Sequence, residues 1–311
     1  MKKILFTLAC MLSMSISAFG LANSAVLLQH GDQVTTYLAD QLQDALDAAV
    51  DGDAIFLNKG TFSGFTITKQ ITLRGAGEET IIDGYVNIEI PDNPTLTRTL
   101  MESLKIQDYI SIGRSIDEFK LAKVSFEKLT INPNVEVNNV LLDKCSVREF
   151  DLRQGYSIPN KLTVINSKVV RPQLSGWSCD LTFINCDIYN PWISQSVLFI
   201  NSIINGGGIL ESSIFEYCLI GDSHNAQIYG SCNNCYYDDK TLLSELESIY
   251  TTEELIEKGY LGNDGTVVGI YGGTTPYVDG LTPIAPTVTG SLLKVDNENR
   301  KLNVKLTVSP K

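Results

Sequence analysis

Leu181-Thr-Phe-Ile-Asn-Cys-Asp-Ile188 and Val197-Leu-Phe-Ile-Asn-Ser-Ile-Ile204 superimpose without a gap. Four more segments join them: Val124-Ser-Phe-Glu-Lys-Leu-Thr-Ile131, Val140-Leu-Leu-Asp-Lys-Cys-Ser-Val147, Leu162-Thr-Val-Ile-Asn-Ser-Lys-Val169 and Ser213-Ile-Phe-Glu-Tyr-Cys-Leu-Ile220. In chain order their last residues stand 16, 22, 19, 16 and 16 residues apart. Self-similarity at so short a period marks a solenoid, in which each repeat is one coil and buries its apolar face only against its neighbours. The first and third residues of the segments are mostly apolar, the fifth is often Asn, the sixth often small and the eighth always apolar. Period-two alternation is a strand, and its break at the fifth position is a corner. Asparagine suits the left-handed backbone such a corner needs. Asn166, Asn185 and Asn201 therefore occupy one corner of three consecutive coils. The expectation is a structural ladder, with side-chain amides about 4.8 Å apart and hydrogen-bonded up the column. The chain reads as all-β, a single-stranded right-handed parallel β-helix.

The sixth position, just past the corner, holds Cys145, Ser167, Cys186, Ser202 and Cys218. Facing inward where room is short, these cysteines are expected to act as small buried hydrophobes. None has a Cys on the neighbouring coil in this alignment, and strand spacing forbids a disulfide between coils two apart. Cys232-x-x-Cys235 is read separately, as a local disulfide, a redox pair or half of a metal site.

Before the array, Asp53-Ala-Ile-Phe-Leu57, Phe65-Thr-Ile-Thr-Lys-Gln-Ile-Thr-Leu73 and Thr80-Ile-Ile-Asp-Gly84 alternate between glycine-rich corners. Leu38, Leu42, Leu46 and Ala49 share one face of a helix ending at Asp51-Gly52, which is expected to cap the open N-terminal coil. Asp44-Ala-Leu-Asp-Ala-Ala-Val-Asp-Gly-Asp-Ala-Ile-Phe-Leu-Asn-Lys-Gly-Thr-Phe62, with Ile67-Thr-Lys-Gln-Ile-Thr-Leu-Arg-Gly-Ala-Gly77, resembles the opening of the pectate-lyase-like superfamily. The resemblance spans roughly residues 35 to 237 and implies the fold. The superfamily's activities range over polysaccharide lyases, hydrolases, esterases and surface proteins, so it implies no single chemistry.

After Tyr237, Leu242, Leu243, Leu246 and Ile249 suggest a short helix, Thr251 and Glu254 a capping box, and Gly259 a helix stop. These are expected to close the C-terminal end. Gly269-Ile-Tyr-Gly-Gly-Thr-Thr-Pro-Tyr277 is similar to a segment that ends many bacterial proteins of this superfamily. Leu292–Val295 and Leu302–Val308 flank Asp296-Asn-Glu-Asn as a β-hairpin, too marginal to stand alone in water. The organisation is thus a signal peptide (1–22), a capped β-helix (23–260) and a C-terminal extension (261–311).

The signal reading rests on Met1-Lys2-Lys3, the apolar run to Ile16, and the small residues Ala18, Gly20 and Ala22, with cleavage after Gly20 or Ala22. Export to the periplasm, cell surface or medium follows. Lipidation at Cys10 is disfavoured by Thr7 three residues before it, and no other run approaches the ~20 apolar residues of a membrane span. With Lys2 and Lys3 set aside, 36 acidic side chains face 22 basic ones. Such a surface repels nucleic acid, and uronate polymers too unless a basic patch or bound cation intervenes.

Lyases of the superfamily imply a Ca²⁺ site or a Lys and Arg pair, and its hydrolases paired carboxylates with Gly-His-Gly. Arg171-Pro172 lacks the rest of the lyase motif; Asp238-Asp239 stands alone and reads as a solvated helix start. His30 and His224 lie outside any such triplet. No cofactor is identified, and nothing in the sequence builds a Ca²⁺ site. Enzymatic activity is left open, leaning against. The candidate ligand-binding residues are Tyr156, Trp177, Tyr189 and Trp192, whose rings, if exposed in a row, would stack on sugars, with Arg171 to pair a carboxylate. The alternative is that the rings fold inward over the corners. Leu198, Ile203, Ile214 and Leu219 are expected to point outward as an apolar patch, covered by the C-terminal hairpin or by a second subunit.

Overall fold

The computed structural model describes residues 25–91, 99–132, 135–152, 161–175, 180–221, 227–238, 250–281, 287–296 and 301–309. The signal segment, the apolar run at 242–249 and His224 lie outside these residues. The architecture is a parallel β-solenoid, and each coil supplies strands to three parallel sheets. The first sheet runs through Ala54–Leu57, Thr72–Arg74 and Thr99–Ile106 to the start of Phe119–Ile131. It continues through Val140–Asp143, Lys161–Ile165, Asp180–Ile184 and Leu198–Ile200, then the second half of Gly208–Glu216 and Gln227–Asn233. Like stands over like: Leu142, Val164, Phe183, Phe199 and Phe215 follow one another on the inner side, and the three rings stack at 5.4 and 5.0 Å.

The corner between the first and second sheets is the same in eight coils. Ser103, Lys123, Lys144, Asn166, Asn185, Asn201, Tyr217 and Asn234 all take φ between +46° and +58°. Left-handed backbone costs a residue with a Cβ about 1 kcal/mol or more, and Asn less than most. The bend carries the corner N–H into the ladder between coils: Asn166 N donates to Ile184 O (3.0 Å), Asn185 N to Ile200 O (3.0 Å) and Asn201 N to Glu216 O (2.9 Å). Two expectations need correction here. The coil before Val140 is Phe119–Phe126, not Val124–Ile131, because Ser125 pairs with Ser146 and Phe126 with Val147. The unbroken alternation through the 13-residue strand Phe119–Ile131 hides its corner at Lys123. A further coil, Gly230–Tyr237, extends the array past Ile220.

Beyond the corner, serine and cysteine share the work. Ser167 Oγ accepts from Cys145 N (2.9 Å) and donates to Ile165 O (2.7 Å); Ser202 Oγ accepts from Cys186 N (3.1 Å) and donates to Ile200 O (2.8 Å). Serine thus satisfies a buried N–H of the preceding coil. Burial pushes the Cys145 and Cys186 thiols up to about 12, so both are inert small side chains.

At the N-terminus, helix α1 (Leu42–Ala48) buries Leu42, Ala45 and Leu46, with Ala49 just beyond it. Leu38 lies outside it and is 57% exposed, since it ends a hairpin, Ala25–His30 with Gln33–Leu38. That hairpin pairs antiparallel to Ala54–Leu57 and occupies the sheet edge there. At the other end, helix α2 (Thr252–Glu257) carries the expected capping box: Thr251 N donates to Glu254 Oε2 (2.9 Å) and Glu254 N to Thr251 Oγ1 (3.2 Å). Gly259 ends it at φ +70°.

From α2 the chain folds back along the flank of the solenoid, over the asparagine corner. Asn263 N donates to Asn201 Oδ1 (2.9 Å), Asn201 Nδ2 donates to Asn263 Oδ1 (3.0 Å) and Gly269 N donates to Asn201 O (2.7 Å). Asn166 Nδ2 donates to Gly272 O (2.9 Å), and Glu78 N to Gly280 O (3.3 Å). The three asparagines occupy one corner of three consecutive coils, and the side-chain bonds of Asn166 and Asn201 run to this strap. Asn185 Oδ1 is buried without a partner. The close approach explains the strap's glycines: at Gly269 (φ +82°) a Cβ would strike Asp187 Oδ1, and at Gly273 (φ +78°) it would strike Asn185 Nδ2.

The strap also revises the apolar patch. Ile203 and Leu219 are buried, packed with Tyr250, Leu255, Val267 and Val268. Their cover is α2 and the strap, neither the hairpin nor another subunit. Leu198 and Ile214 lie on the first sheet, a different side. The C-terminal hairpin forms as Thr287–Asp296 with Lys301–Ser309.

The corner geometry sets opposite signs for two substitutions. Tyr217→Asn relieves a left-handed aromatic residue and should raise stability by about 0.5–1 kcal/mol. Asn201→Ala removes left-handed tolerance and both bonds to Asn263, and should lower it by about 1–2 kcal/mol. Urea midpoints at constant m distinguish the two.

Candidate functional site

The second corner of the coil lies between the second and third sheets. Arg171, Asn190 and Gly206 occupy it in three coils, at φ +49°, +46° and +68°. Arg171 N donates to Tyr189 O (2.7 Å) and Asn190 N to Asn205 O (2.8 Å), which holds the corners in line. Proline follows twice, as Pro172 and Pro191, and the third sheet begins with Gln173 opposite Trp192 and Trp192 opposite Gly208. Trp192 points outward and is 54% exposed. Its neighbour on the next coil has no side chain, so that edge of the indole is not screened by its own column. Exposed Arg171 and Asn190 sit one corner away. A guanidinium, a primary amide and an indole thus line a ridge two coils wide. That combination suits a sugar ring with a carboxylate or hydroxyl at its rim.

Tyr189 does not belong to this ridge. Ile188 faces the core, so Tyr189 lies with Asp187 on the outer side of the second sheet, where it is 1% exposed. Its hydroxyl donates to Asp187 Oδ2 (3.4 Å), while Asp187 Oδ1 accepts from Ile270 N of the strap (3.2 Å). Neither of its expected placements, stacking in solvent or covering the corner from within, describes it. Tyr156 and Trp177 lie outside the described residues, so the structure brings together Arg171 and Trp192 of the original five.

Other candidates resolve into supports. Asp238 Oδ2 accepts from Lys258 Nζ (2.5 Å) and Tyr260 OH (3.2 Å), and Asp238 is the last residue of the strand Tyr236–Asp238; Asp239 lies outside the described residues. It anchors α2 to the last coil. His30 Nδ1 meets Asp53 Oδ1 at 2.8 Å, but Asp53 Oδ2 is occupied by Val50 N (2.9 Å), so the carboxylate ties a turn. Basic residues are drawn into pairs between coils: Arg74 with Glu102, Lys120 with Asp143 (2.7 Å), Lys128 with Glu149 (2.8 Å) and Arg148 with Glu127 (3.1 Å). Among the described residues no group of three or more His, Cys, Asp or Glu could hold a metal ion, and no helix is long and apolar enough to cross a membrane.

Sequence reasoning missed one group. Reading Gly230–Tyr237 as another coil places Asn234 at the corner and Cys235 at the sixth position, beside Cys218. Asn234 was the available signal. The expectation that no cysteine has a Cys on the adjoining coil fails for this pair.

No family model matches the chain, and neither a curated protein nor a solved structure matches it.

The burial difference between the two rings is testable. Tyr189→Ala should cost about 3 kcal/mol, and Trp192→Ala should fall within about 0.5 kcal/mol of the parent, both read from urea unfolding.

Proposed function

We propose that this chain is an exported, non-catalytic β-helix of the pectate-lyase-like kind that contacts polysaccharide through the ridge of Arg171, Asn190 and Trp192. One observation carries the reading: an indole held half in solvent on a rigid strand, next to a glycine, with no packing role that would account for it. A single exposed ring is ordinary on a protein surface; what sets Trp192 apart is its place one corner from exposed Arg171 and Asn190. A flat sugar face is the cover that an isolated ring with adjacent hydrogen-bonding groups fits best. Retention on pectate, alginate and a neutral glucan tests this. The parent should be retarded by at least one polymer and Trp192→Ala about tenfold less strongly. Equal retention of the two, or the appearance of unsaturated uronate ends, overturns it; the latter would mark a lyase with an atypical site.

A second reading, a structural or adhesive surface protein, is favoured by the outer side of the first sheet. Ile165, Ile184 and Ile200 form one half-buried column there, and Leu198 and 43%-exposed Ile214 stand beside it. If this seam joins two copies, sedimentation should give a dimer that Ile214→Lys converts to monomer. A monomeric parent removes the reading.

A further inference from the structure

The last coil departs from its predecessors at the inward position before the first corner, and at the one after it cysteine follows cysteine. Where earlier coils place Phe183, Phe199 and Phe215, it places Cys232, opposite Phe215. At the sixth position it places Cys235, adjoining Cys218: Leu219 pairs with Tyr236, and Tyr236 N donates to Cys218 O at 2.8 Å. Three thiols therefore meet at one corner. Cys218 is buried, Cys235 is half-buried and Cys232 is exposed. The sulfur of Cys235 lies within hydrogen-bond reach of both the Cys218 and the Cys232 thiols. As a thiol Cys235 donates to Phe215 O (3.5 Å), and as a thiolate it accepts from its two neighbours. The Tyr237 hydroxyl donates to Cys232.

The other sixth-position cysteines give the contrast. Cys145 and Cys186 are sealed within the core with serines on the next coil. Only the terminal coil presents two thiols separated by two residues, with a third behind them. The difference lies in placement along the column: among the described residues no further coil follows to bury these side chains, and here that position is filled by sulfur.

We propose that Cys232 and Cys235 form a reversible dithiol site that exchanges with small-molecule disulfides, with Cys218 as the positioning residue that donates to the attacking sulfur. In the exchange the Cys235 thiolate attacks one sulfur of the external disulfide. The external S–S bond breaks, one half leaves as a thiolate and takes a proton, and Cys235 is held as a mixed disulfide. Cys232 then loses its proton and attacks the Cys235 sulfur, expelling the second half, which is protonated in turn. Two protein thiols are oxidised to one disulfide, and one external disulfide is reduced to two thiols. The disulfide would staple the last corner, and an exported location would favour that state.

The hydrogen bonds from Cys218, first, and from Cys232 outweigh burial and bring the Cys235 thiol down to about 6. It is ionised above that pH, whereas an ordinary thiol titrates at about 8.5. The test uses the full chain. After treatment with oxidised glutathione, alkylation under denaturing conditions and peptide mapping should show a single Cys232–Cys235 link, with Cys145, Cys186 and Cys218 still free thiols. On the reduced protein, the native alkylation rate of Cys235 against pH should have its midpoint near 6. Cys218→Ala should move that midpoint up toward the ordinary value. Cys218→Ser should leave it low, because a hydroxyl still donates and serine already fills this position at Ser167 and Ser202. Continued protection of Cys145 and Cys186 reports that each variant is folded. Failure of any link to form, a link from Cys218 in its place, or an ordinary midpoint in the parent overturns the proposal.

Discussion

Everything in this molecule hangs from a left-handed residue repeated at one corner of the coil. Each such residue is strained relative to ordinary strand backbone, and seven of the eight are followed by a further coil in the same conformation. The strain is outweighed because the corner keeps both flanking strands in phase with the coils above and below. Phase then lets phenylalanine stack on phenylalanine and serine reach the N–H of the adjoining coil. A slip of one residue would turn the inner side chains outward. The corner is thus a register device before it is a turn.

The strap is the second consequence of that register. A column of asparagines offers amides at regular intervals, and a chain segment with glycines where it must come close can bind to them along its length. The contacts at Asn263, Gly269, Gly272 and Gly280 meet coils spread from Asn201 back to Glu78. Segment 261–281 is therefore bound along the solenoid's flank. It also buries Ile203 and Leu219, which would otherwise be an outward apolar patch. Asp187 joins the strap to the second corner, through Ile270 on one side and Tyr189 on the other. The ridge carrying Trp192 is consequently built on a braced part of the coil.

The fold was legible wherever corner chemistry and strand alternation agree. Asn166, Asn185 and Asn201 announce their corner; Lys123 does not, and alternation alone sets its coil five residues too late. Gly230–Tyr237 escaped because cysteine replaces phenylalanine at its third position, although Asn234 marks the corner. The N-terminal hairpin was missed because its outer strand, Gln33–Leu38, is mostly exposed and carries no apolar stripe. The site was less readable, for a physical reason. Alternation tells inside from outside, but it does not tell an outer residue in solvent from one beneath a returning segment. Trp192 and Tyr189 both point away from the core, yet one is 54% exposed and the other 1%, with the strap bonded to Asp187 beside Tyr189.

Native-state amide hydrogen exchange tests the register claim most directly. The N–H groups of Cys145 and Cys186, bonded to serine hydroxyls one coil away, and those of Asn166, Asn185 and Asn201 at the corner should exchange only by global unfolding. They should respond to denaturant with the full equilibrium slope. Exchange of these amides at the rate of exposed loops would mean that the coils do not stack in phase, and the account would fail.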